Sequence, residues 1–404
     1  MKNKTSQKPQ AIWLFAGGPM QRPAAEKIKE RGYSLIITDG SKECSIYSMA
    51  DEFVHLDTFD IAGNIKSANK LKNSYDIKAI FTSGADCHET VASVAKHLGL
   101  HGIDPKISHI CRYKYETRKI LTKAGIPQPK FLVAKTYEQA LKALKKIGLP
   151  AAIKPPNNSG SRGFSRIESE SDLTLEVYNR AIENGTTKSV IIEELIIPIQ
   201  GEIAEQSVET LWYDGKMIWL NWVDRLFRKD FDFFKGLWKE SDNPYKNTSW
   251  AVELAHINPA VHSSKIQKET EDMIRKAGIA LGMGKQKGGH LLKADIMLTS
   301  KGPRILELTP RLSGGWDSSW TTIKRGADFI DGMIGLALGE KFTPQYYKKY
   351  FVYKDKKLFA SMLAQVKVDA KDCIGRRFVF GAGYKLEDSL KEAHKALIAK
   401  KFIS

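Results

Sequence analysis

The densest chemistry in the chain lies between Lys293 and Gly315, in the stretch KADIMLTSKGPRILELTPRLSGG. It reads as two short strands, 291–298 and 303–308, joined by a turn at Lys301-Gly302. Each strand carries one acid among apolar residues, Asp295 and Glu307. Pairing the strands would bring these carboxylates together, with Arg311 and the backbone of Ser313, Gly314 and Gly315 just beyond the second acid. Oxygen ligands suit a hard cation such as Mg²⁺, while a guanidinium and amide N–H groups suit a polyphosphate. An ordinary hairpin with solvated acids would carry the same letters, so the rest of the chain has to decide.

Lys154 ends an apolar strand and runs into the loop Asn157–Gly163, NNSGSRG, which is too rich in small polar residues to be core. A lysine there meets phosphate oxygens as a point charge, while Ser159, Gly160, Ser161 and Gly163 offer wrapping amides. The lysine precedes the glycines and no Gly-Lys-Ser/Thr follows, so this is not a Walker loop. Lys114 and Arg118 stand four apart on one helical face and repel each other unless acids lie opposite. Glu193, Glu194 and Leu195 end a β-branched strand, the kind of segment that lays backbone against a purine. A run from Trp212 to Trp238 is crowded with aromatics and cations, including Arg225 and Arg228 as candidate carboxylate clamps. The same run would also serve as a dimer face or an RNA-stacking surface. His256 is as readily a packed residue as a catalytic one, and no histidine cluster points to zinc.

These residues need elements to hold them. Strands at 11–18, 35–38, 54–56 and 77–82 alternate with helices at 19–31, 61–71 and 87–98, the pattern of a parallel sheet with helices on both faces. The first strand ends in Gly17-Gly18-Pro19 and lacks the spaced glycines of a dinucleotide fingerprint, so NAD is not assigned. Residues 82–86, at the carboxyl edge of that sheet, are a candidate small-molecule contact or a helix start capped by Ser83 or Asp86. A helix at 113–123 is stopped by Gly125-Ile126-Pro127. Further on come strands at 131–133, 151–154 and 189–194, helices at 137–147 and 173–184, and a hairpin of 204–212 with 216–221 around Asp214-Gly215. A helix at 266–281 precedes the acidic strands, and strands at 358–368 and 377–380 precede a final helix.

At 404 residues the chain exceeds one core, and 42% hydrophobic residues with 10% aromatics is ample for several. No window approaches the ~18 apolar residues of a spanning helix. The polar start MKNKTSQKPQ has no signal-peptide character, and the four cysteines form neither metal spacing nor a disulfide framework. A cytoplasmic enzyme is expected. The formal charge of +17 favours anionic partners, but the lysines are dispersed and no nucleic-acid motif is present. Nucleic acid is therefore disfavoured and no membrane partner is expected.

In their order, these pieces resemble the ATP-grasp superfamily, in its carboxylate–amine ligase and carbamoyl-phosphate-synthase-like branch. The segment RYKYETRKILTKAGIPQP matches the helix before the hinge with Lys114 and Arg118, and AIKPPNNSGSRG matches the ATP lysine Lys154 and the phosphate loop. VIIEEL matches the adenine-hinge strand, and GEIAEQSVE the acidic strand after it, with Glu205 or Glu209 on the nucleotide side. Asp295 and Glu307 match the magnesium acids, and Arg311 the arginine that meets phosphate or an acyl phosphate. The family usually has Glu-x-Asn-x-Arg where this chain has Glu307-Leu308-Thr309-Pro310-Arg311, leaving Thr309 as a weaker oxygen ligand. Three residues also intervene between Gly201 and Glu205 where the family has one, so Glu202 is read as a loop acid.

The resemblance implies an α/β and α+β multidomain protein. A Rossmann-like pre-grasp domain at 1–108 would precede an ATP-grasp domain at 109–345, with a lid at about 125–195 and a segment 346–404 completing the core or supporting a homodimer. It implies ATP and Mg²⁺, with Mn²⁺ as a substitute, and phosphorylation of a small-molecule carboxylate followed by attack of an amine. Lys154 and Arg311 would be catalytic. Lys114, Lys154, Ser159, Gly160, Ser161, Gly163, Glu193, Glu194, Leu195 and Glu205 would hold nucleotide, and Asp295, Glu307 and Thr309 metal. Arg225, Arg228, Arg311, Ser313, Gly314 and Gly315 would hold substrate. The alternatives are a bicarbonate-dependent carboxylase or carbamoyl-type ligase, and a nucleotide-binding scaffold for a macromolecule.

Overall fold

The structure, a computed structural model, describes residues 8–158, 160–227, 253–368 and 373–399. Its first sheet contains β1 (Gln10–Phe15), β2 (Ser34–Asp39), β3 (Glu52–His55) and β4 (Asp76–Phe81), all parallel in the order β3-β2-β1-β4. Residues Ala11 to Phe15 are fully buried, as a central parallel strand covered on both faces requires. Helices α1 (Arg22–Glu30) and α2 (Ile61–Leu71) connect β1 to β2 and β3 to β4, and α3 (His88–His97) follows β4. Then α4 (Pro105–Arg112) and α5 (Lys114–Lys123) lead to a second sheet.

That sheet holds β5 (Phe131–Ala134), β6 (Ala151–Lys154), β7 (Ser165–Ile167) and β8 (Val190–Glu194) in the order β5-β8-β6-β7, with antiparallel pairing. The amphipathic helices α6 (Tyr137–Ile147) and α7 (Leu175–Glu183) supply Ala140, Leu144, Tyr178 and Ala181 to its core. Thr136 and Thr174 cap their amino ends by accepting from Gln139 N and Val177 N.

The largest sheet has seven strands in the order β13-β12-β9-β10-β11-β14-β15. They are β9 (Glu205–Tyr213), β10 (Lys216–Leu226), β11 (Ala255–Asn258), β12 (Gly289–Thr299), β13 (Gly302–Thr309), β14 (Phe359–Val368) and β15 (Cys373–Gly383). The helix α8 (Ser264–Leu281) packs on one face; α9 (Thr322–Lys324), α10 (Phe329–Ala337), α11 (Pro344–Tyr350) and α12 (Leu386–Ala399) complete the chain. The α/β and α+β layering expected from the sequence is present. No helix among the described residues is long and apolar enough to cross a membrane.

Strand period fixes what β12 does. Leu292, Ala294 and Ile296 join the core under α8, so Lys293 and Asp295 point to the other face. The strands of the β12–β13 hairpin reach further than the sequence suggested, and Gly302 opens β13 at φ +96°. The strand β10 continues to Leu226, and β11 was not foreseen, because its four residues, Ala-His-Ile-Asn, are too few to show a period. The aromatic run divides: Trp212, Trp219 and Trp222 belong to the core beneath α8, whereas Phe227 lines a cavity. Residues 228–252, including Arg228, Phe231, Phe233, Phe234 and Trp238, lie outside the described residues, as does Ser159.

Candidate active site

The two acids are direct cross-strand partners. Asp295 of β12 pairs with Glu307 of β13, and one rung further Lys293 pairs with Thr309. On the other side of β12, Lys293 faces Glu209, Asp295 faces Ser207 and Met297 faces Glu205 of β9. Antiparallel registry therefore builds a polar grid on one sheet face, from residues that alternate with core along each strand.

Lys114, Arg118, Lys154 and Glu193 lie more than a hundred residues before these acids, and tertiary packing closes the gaps. Lys114, at the start of α5, donates to Glu307 Oε1 at 2.9 Å and to the Asn158 carbonyl at 2.6 Å, tying helix, acid and loop together. Arg118, one turn on and 1% exposed, donates to Glu193 Oε1 at 2.8 Å and to the Ile305 and Leu306 carbonyls at 3.2 and 2.7 Å. Glu193 in turn meets Lys154 Nζ through its other oxygen. Each cation of the α5 pair thus has its own acid, which removes their mutual repulsion. Burial pushes the Glu193 carboxyl up, but the adjacent Arg118 and Lys154 outweigh it and bring it to about 2. Burial lowers Lys154, with Glu193 opposing.

These groups line a cavity of about 240 Å³ between the second and third sheets. Lys114, Lys154, Gly160, Ser161, Glu193, Glu194, Leu195, Glu205, Arg225, Asp295 and Glu307 all reach it, with Ala152, Ile196, Met297 and Leu306 as apolar wall. Of the expected nucleotide loop, Gly163 turns away. It is buried with φ +72° against Asn184 and Pro155, where a Cβ would come within 2.7 Å of Asn184 Cβ. Of the two acids considered on β9, Glu205 faces the cavity. Glu209 does not; it accepts from the Ser313 amide at 2.6 Å, Ser318 Oγ at 2.7 Å and Asn221 Nδ2 at 2.9 Å.

Arg225 bridges Glu205 at 3.0 Å, Asp295 at 3.2 Å and Glu253. Glu253 was not anticipated; its only sequence signal is its place three residues before His256. The ring of buried His256 lies between Glu253 and Asp317, with Nδ1 2.7 Å from Asp317 Oδ1. Burial lowers its pKa, but Asp317 and then Glu253 more than compensate and raise it.

Arg311 donates to Asp86 Oδ1 through Nε at 3.0 Å and Nη2 at 2.6 Å. The 82–86 loop therefore meets the 311–315 loop, with Gly84 against the Ser313 carbonyl and Gly314. Capping of α3 by Ser83 or Asp86 is not what the loop does: Cys87 is the cap residue, without a side-chain bond. Ser313 Oγ donates to Asp317 Oδ2 at 2.9 Å, and Gly315 at φ +63° packs on the His256 ring, where any Cβ would collide. The loop thus runs close to buried groups along its length.

Mg²⁺ fits this donor set. Asp295 Oδ1 is buried without a hydrogen-bond partner, and Glu307 stands opposite it across the ladder. Burial pushes Asp295 up, while Arg225 and then Lys293 hold it below its ordinary value. Lys114 does the same for Glu307 against burial, so both acids are anionic. Among the described residues no group of three or more His, Cys, Asp or Glu forms a ready-made metal cage. Mg²⁺ commonly needs only one or two carboxylates beside phosphates and water. Thr309 is buried one rung beyond the acids, outside the cavity lining.

A model of the ATP-grasp domain matches residues 119–231. The chain thus contains an ATP-grasp domain. It is 36% identical over 191 residues to the formate-dependent phosphoribosylglycinamide formyltransferase of Methanococcus maripaludis, a match that covers 46% of this chain and 47% of that protein. It is also 27% identical over 174 residues to the C-terminal section of the carbamoyl phosphate synthase large chain of Methanocaldococcus jannaschii, a match that covers 42% of this chain and 28% of that protein. The chain spans between 28% and 55% of the length of the first curated relatives it matches. Its fold is similar to L-amino acid ligase from Bacillus licheniformis, with a TM-score of 0.73, 16% identity and 98% coverage of both chains. It is also similar to the biotin carboxylase domain of Hydrogenobacter thermophilus 2-oxoglutarate carboxylase in complex with MgADP, ADP and bicarbonate, with a TM-score of 0.65, 16% identity, and 89% and 75% coverage. The likeness to these two structures is one of fold and extends over 98% and 89% of this chain.

Proposed function

We propose that this ATP-grasp protein uses Mg-ATP to convert a carboxylate-class substrate into an acyl phosphate and delivers it to a nitrogen nucleophile. The observation that carries this reading is the Asp295–Glu307 rung, flanked on one side by the cavity of Lys114 and Lys154 and on the other by the Arg311–Gly315 loop. Nucleotide would lie in the cavity with its base against Leu195 and Ile196 and its phosphates toward Lys114, Lys154 and the 160–163 loop. Mg²⁺, when bound at Asp295 and Glu307, supplies charge neutralisation to the phosphates. Arg311 and the amides near Ser313 hold the carboxylate for in-line attack on the γ-phosphorus. The bond from the γ-phosphorus to the oxygen it shares with the β-phosphate breaks, and ADP leaves with that oxygen and the electron pair. A nitrogen lone pair then attacks the acyl carbon and releases phosphate, its proton passing to a nearby base. Closure of the second sheet over the cavity would exclude water from the acyl phosphate.

Bicarbonate is a second candidate for the activated carboxylate. The likeness to a carboxylase domain complexed with MgADP and bicarbonate favours it, although a fold likeness at this identity carries no chemistry by itself. The deciding experiment is ADP release with Mg-ATP in the presence of pooled small carboxylates, with and without pooled amines, alongside a bicarbonate arm. Release that depends on one organic acid and an amine supports the ligase. Release stimulated by bicarbonate and an amine supports the carboxylating form. Saturable nucleotide binding with no stimulated release in any arm would overturn both in favour of a binding scaffold.

A further inference from the structure

Beyond its pull on Asp295, Lys293 has no role in the site so far, yet it is buried on the same sheet face as that acid. Its side chain is 9% exposed and its ammonium lies 2.7 Å from Asp295 Oδ2. It stands on the same face of β12 as Asp295, with Thr309 as its partner on β13 and Glu209 as its partner on β9. The Glu209 oxygens accept from Ser313, Ser318 and Asn221, so the acid that pairs directly with the Lys293 ammonium is Asp295. Thr309 offers only a neutral hydroxyl.

We propose that Lys293 is a fixed cation at the phosphoryl-transfer step, occupying the place a second divalent ion would need, so that one Mg²⁺ suffices. The inference rests on the nucleotide site proposed above. The rungs of the ladder run from Met297 and Glu205, which line the cavity, through Asp295 and Glu307, to Lys293 and Thr309. Beyond them comes the loop whose Ser313 amide is anchored on Glu209. Lys293 thus stands between the magnesium acids and the carboxylate end, on the path of a phosphoryl group moving from one to the other. Asp295 divides its oxygens to match. Oδ2 takes Lys293 and Arg225, while buried Oδ1 has no hydrogen-bond partner and is left for one ion. A dication lodged instead between Asp295 and Thr309 would stand beside the Lys293 ammonium that already occupies Asp295 Oδ2, and would be repelled by it. The weak ligand at position 309 and the cation at position 293 are then two sides of one arrangement. A hydroxyl suffices where no metal is to be held.

The test counts ions. The protein is titrated with Mn²⁺ in the presence of a non-hydrolysable ATP analogue, and bound Mn²⁺ per bound nucleotide is read by electron paramagnetic resonance. The wild-type chain is expected to hold one Mn²⁺ per nucleotide. Lys293→Met, which keeps the length and removes the charge, is expected to bind the Mn²⁺ analogue complex about tenfold more weakly or worse. It should also admit a second Mn²⁺. Lys293→Arg should retain the wild-type count. Two Mn²⁺ per nucleotide in the wild type, or unchanged count and affinity in Lys293→Met, overturns the inference and leaves the nucleotide site standing. No saturable analogue binding by the wild type overturns both. The wild-type count decides even if Lys293→Met fails to fold.

Discussion

Lys154 illustrates how a single residue is prepared for chemistry here. Its ammonium is fixed by Glu193, Glu193 by Arg118, and Arg118 by the Ile305 and Leu306 carbonyls of the strand that carries Glu307. Such relays keep a donor aimed at charge that develops during reaction, and losing one aimed donor costs ~3–4 kcal/mol of transition-state stabilisation. Lys154→Ala and Glu307→Gln are each expected to lower turnover by about 100- to 1000-fold while circular dichroism stays unchanged. The glutamine can still accept from Lys114, which is why the fold should tolerate it. Turnover near wild type in both purified variants would remove these residues from the catalytic assignment.

At the scale of elements, the polar grid depends on β9 and β12 being held flat against α8 from behind. Gly278 of α8 packs tightly against Trp212 of β9, a ring 1% exposed whose Nε1 donates to Thr210 Oγ1 at 3.1 Å. A Cβ at position 278 would lie 2.1 Å from Trp212 Cζ2. Alanine is the better helix former, so propensity alone predicts a gain of up to about 1 kcal/mol. Overpacking typically costs ~1–3 kcal/mol, and here it should win because the ring has no room to move. Urea unfolding of Gly278→Ala should show a lower midpoint at unchanged slope. A midpoint equal to or above that of the wild type would mean that the interface is looser than the contact indicates.

Across the whole molecule, buried histidines set the response to pH. Burial brings His88 to about 3 and His290 to about 4, so both stay neutral in the fold. In the unfolded chain they titrate near the ordinary value of ~6.5. Below that pH the unfolded state binds protons that the native state refuses. Each of these histidines therefore contributes stability above pH ~6.5 that is lost on acidification, by up to about 1.4 kcal/mol per pH unit. His256 and His262 are raised by their carboxylate partners against burial. Their contribution is complete below pH ~6.5 and is lost as pH rises through their folded values. Glu193, at about 2, adds a loss as pH falls from ~4.5 toward that value. Unfolding free energy measured across pH 5 to 8 should therefore peak near about 6.5. A flat profile between pH 6.5 and 5 would contradict the neutral burial of His88 and His290.

Much of this was legible in the letters because it depends on local periodicity. The alternation of strands and helices up to His97 gave the parallel sheet. The period of two in ADIML and ILELT put one acid on each strand of a hairpin, and Lys154 before a small polar loop marked a turn that reaches the cavity. The same alternation places Lys293 beside Asp295. What sequence could not supply were matters of registry and long-range approach. Only the ladder decided that Asp295 opposes Glu307 directly and that Lys293 opposes Thr309, because a slip of one residue would send either set into the core beneath α8. Only packing brought Asp86 to Arg311, Glu253 to Arg225 and Arg118 to Glu193, since charge pairing between distant segments leaves no local pattern. The choice between Glu205 and Glu209 followed in the same way. Both lie on one face of β9, and only the neighbouring loop, by donating the Ser313 amide to Glu209, leaves Glu205 to the cavity.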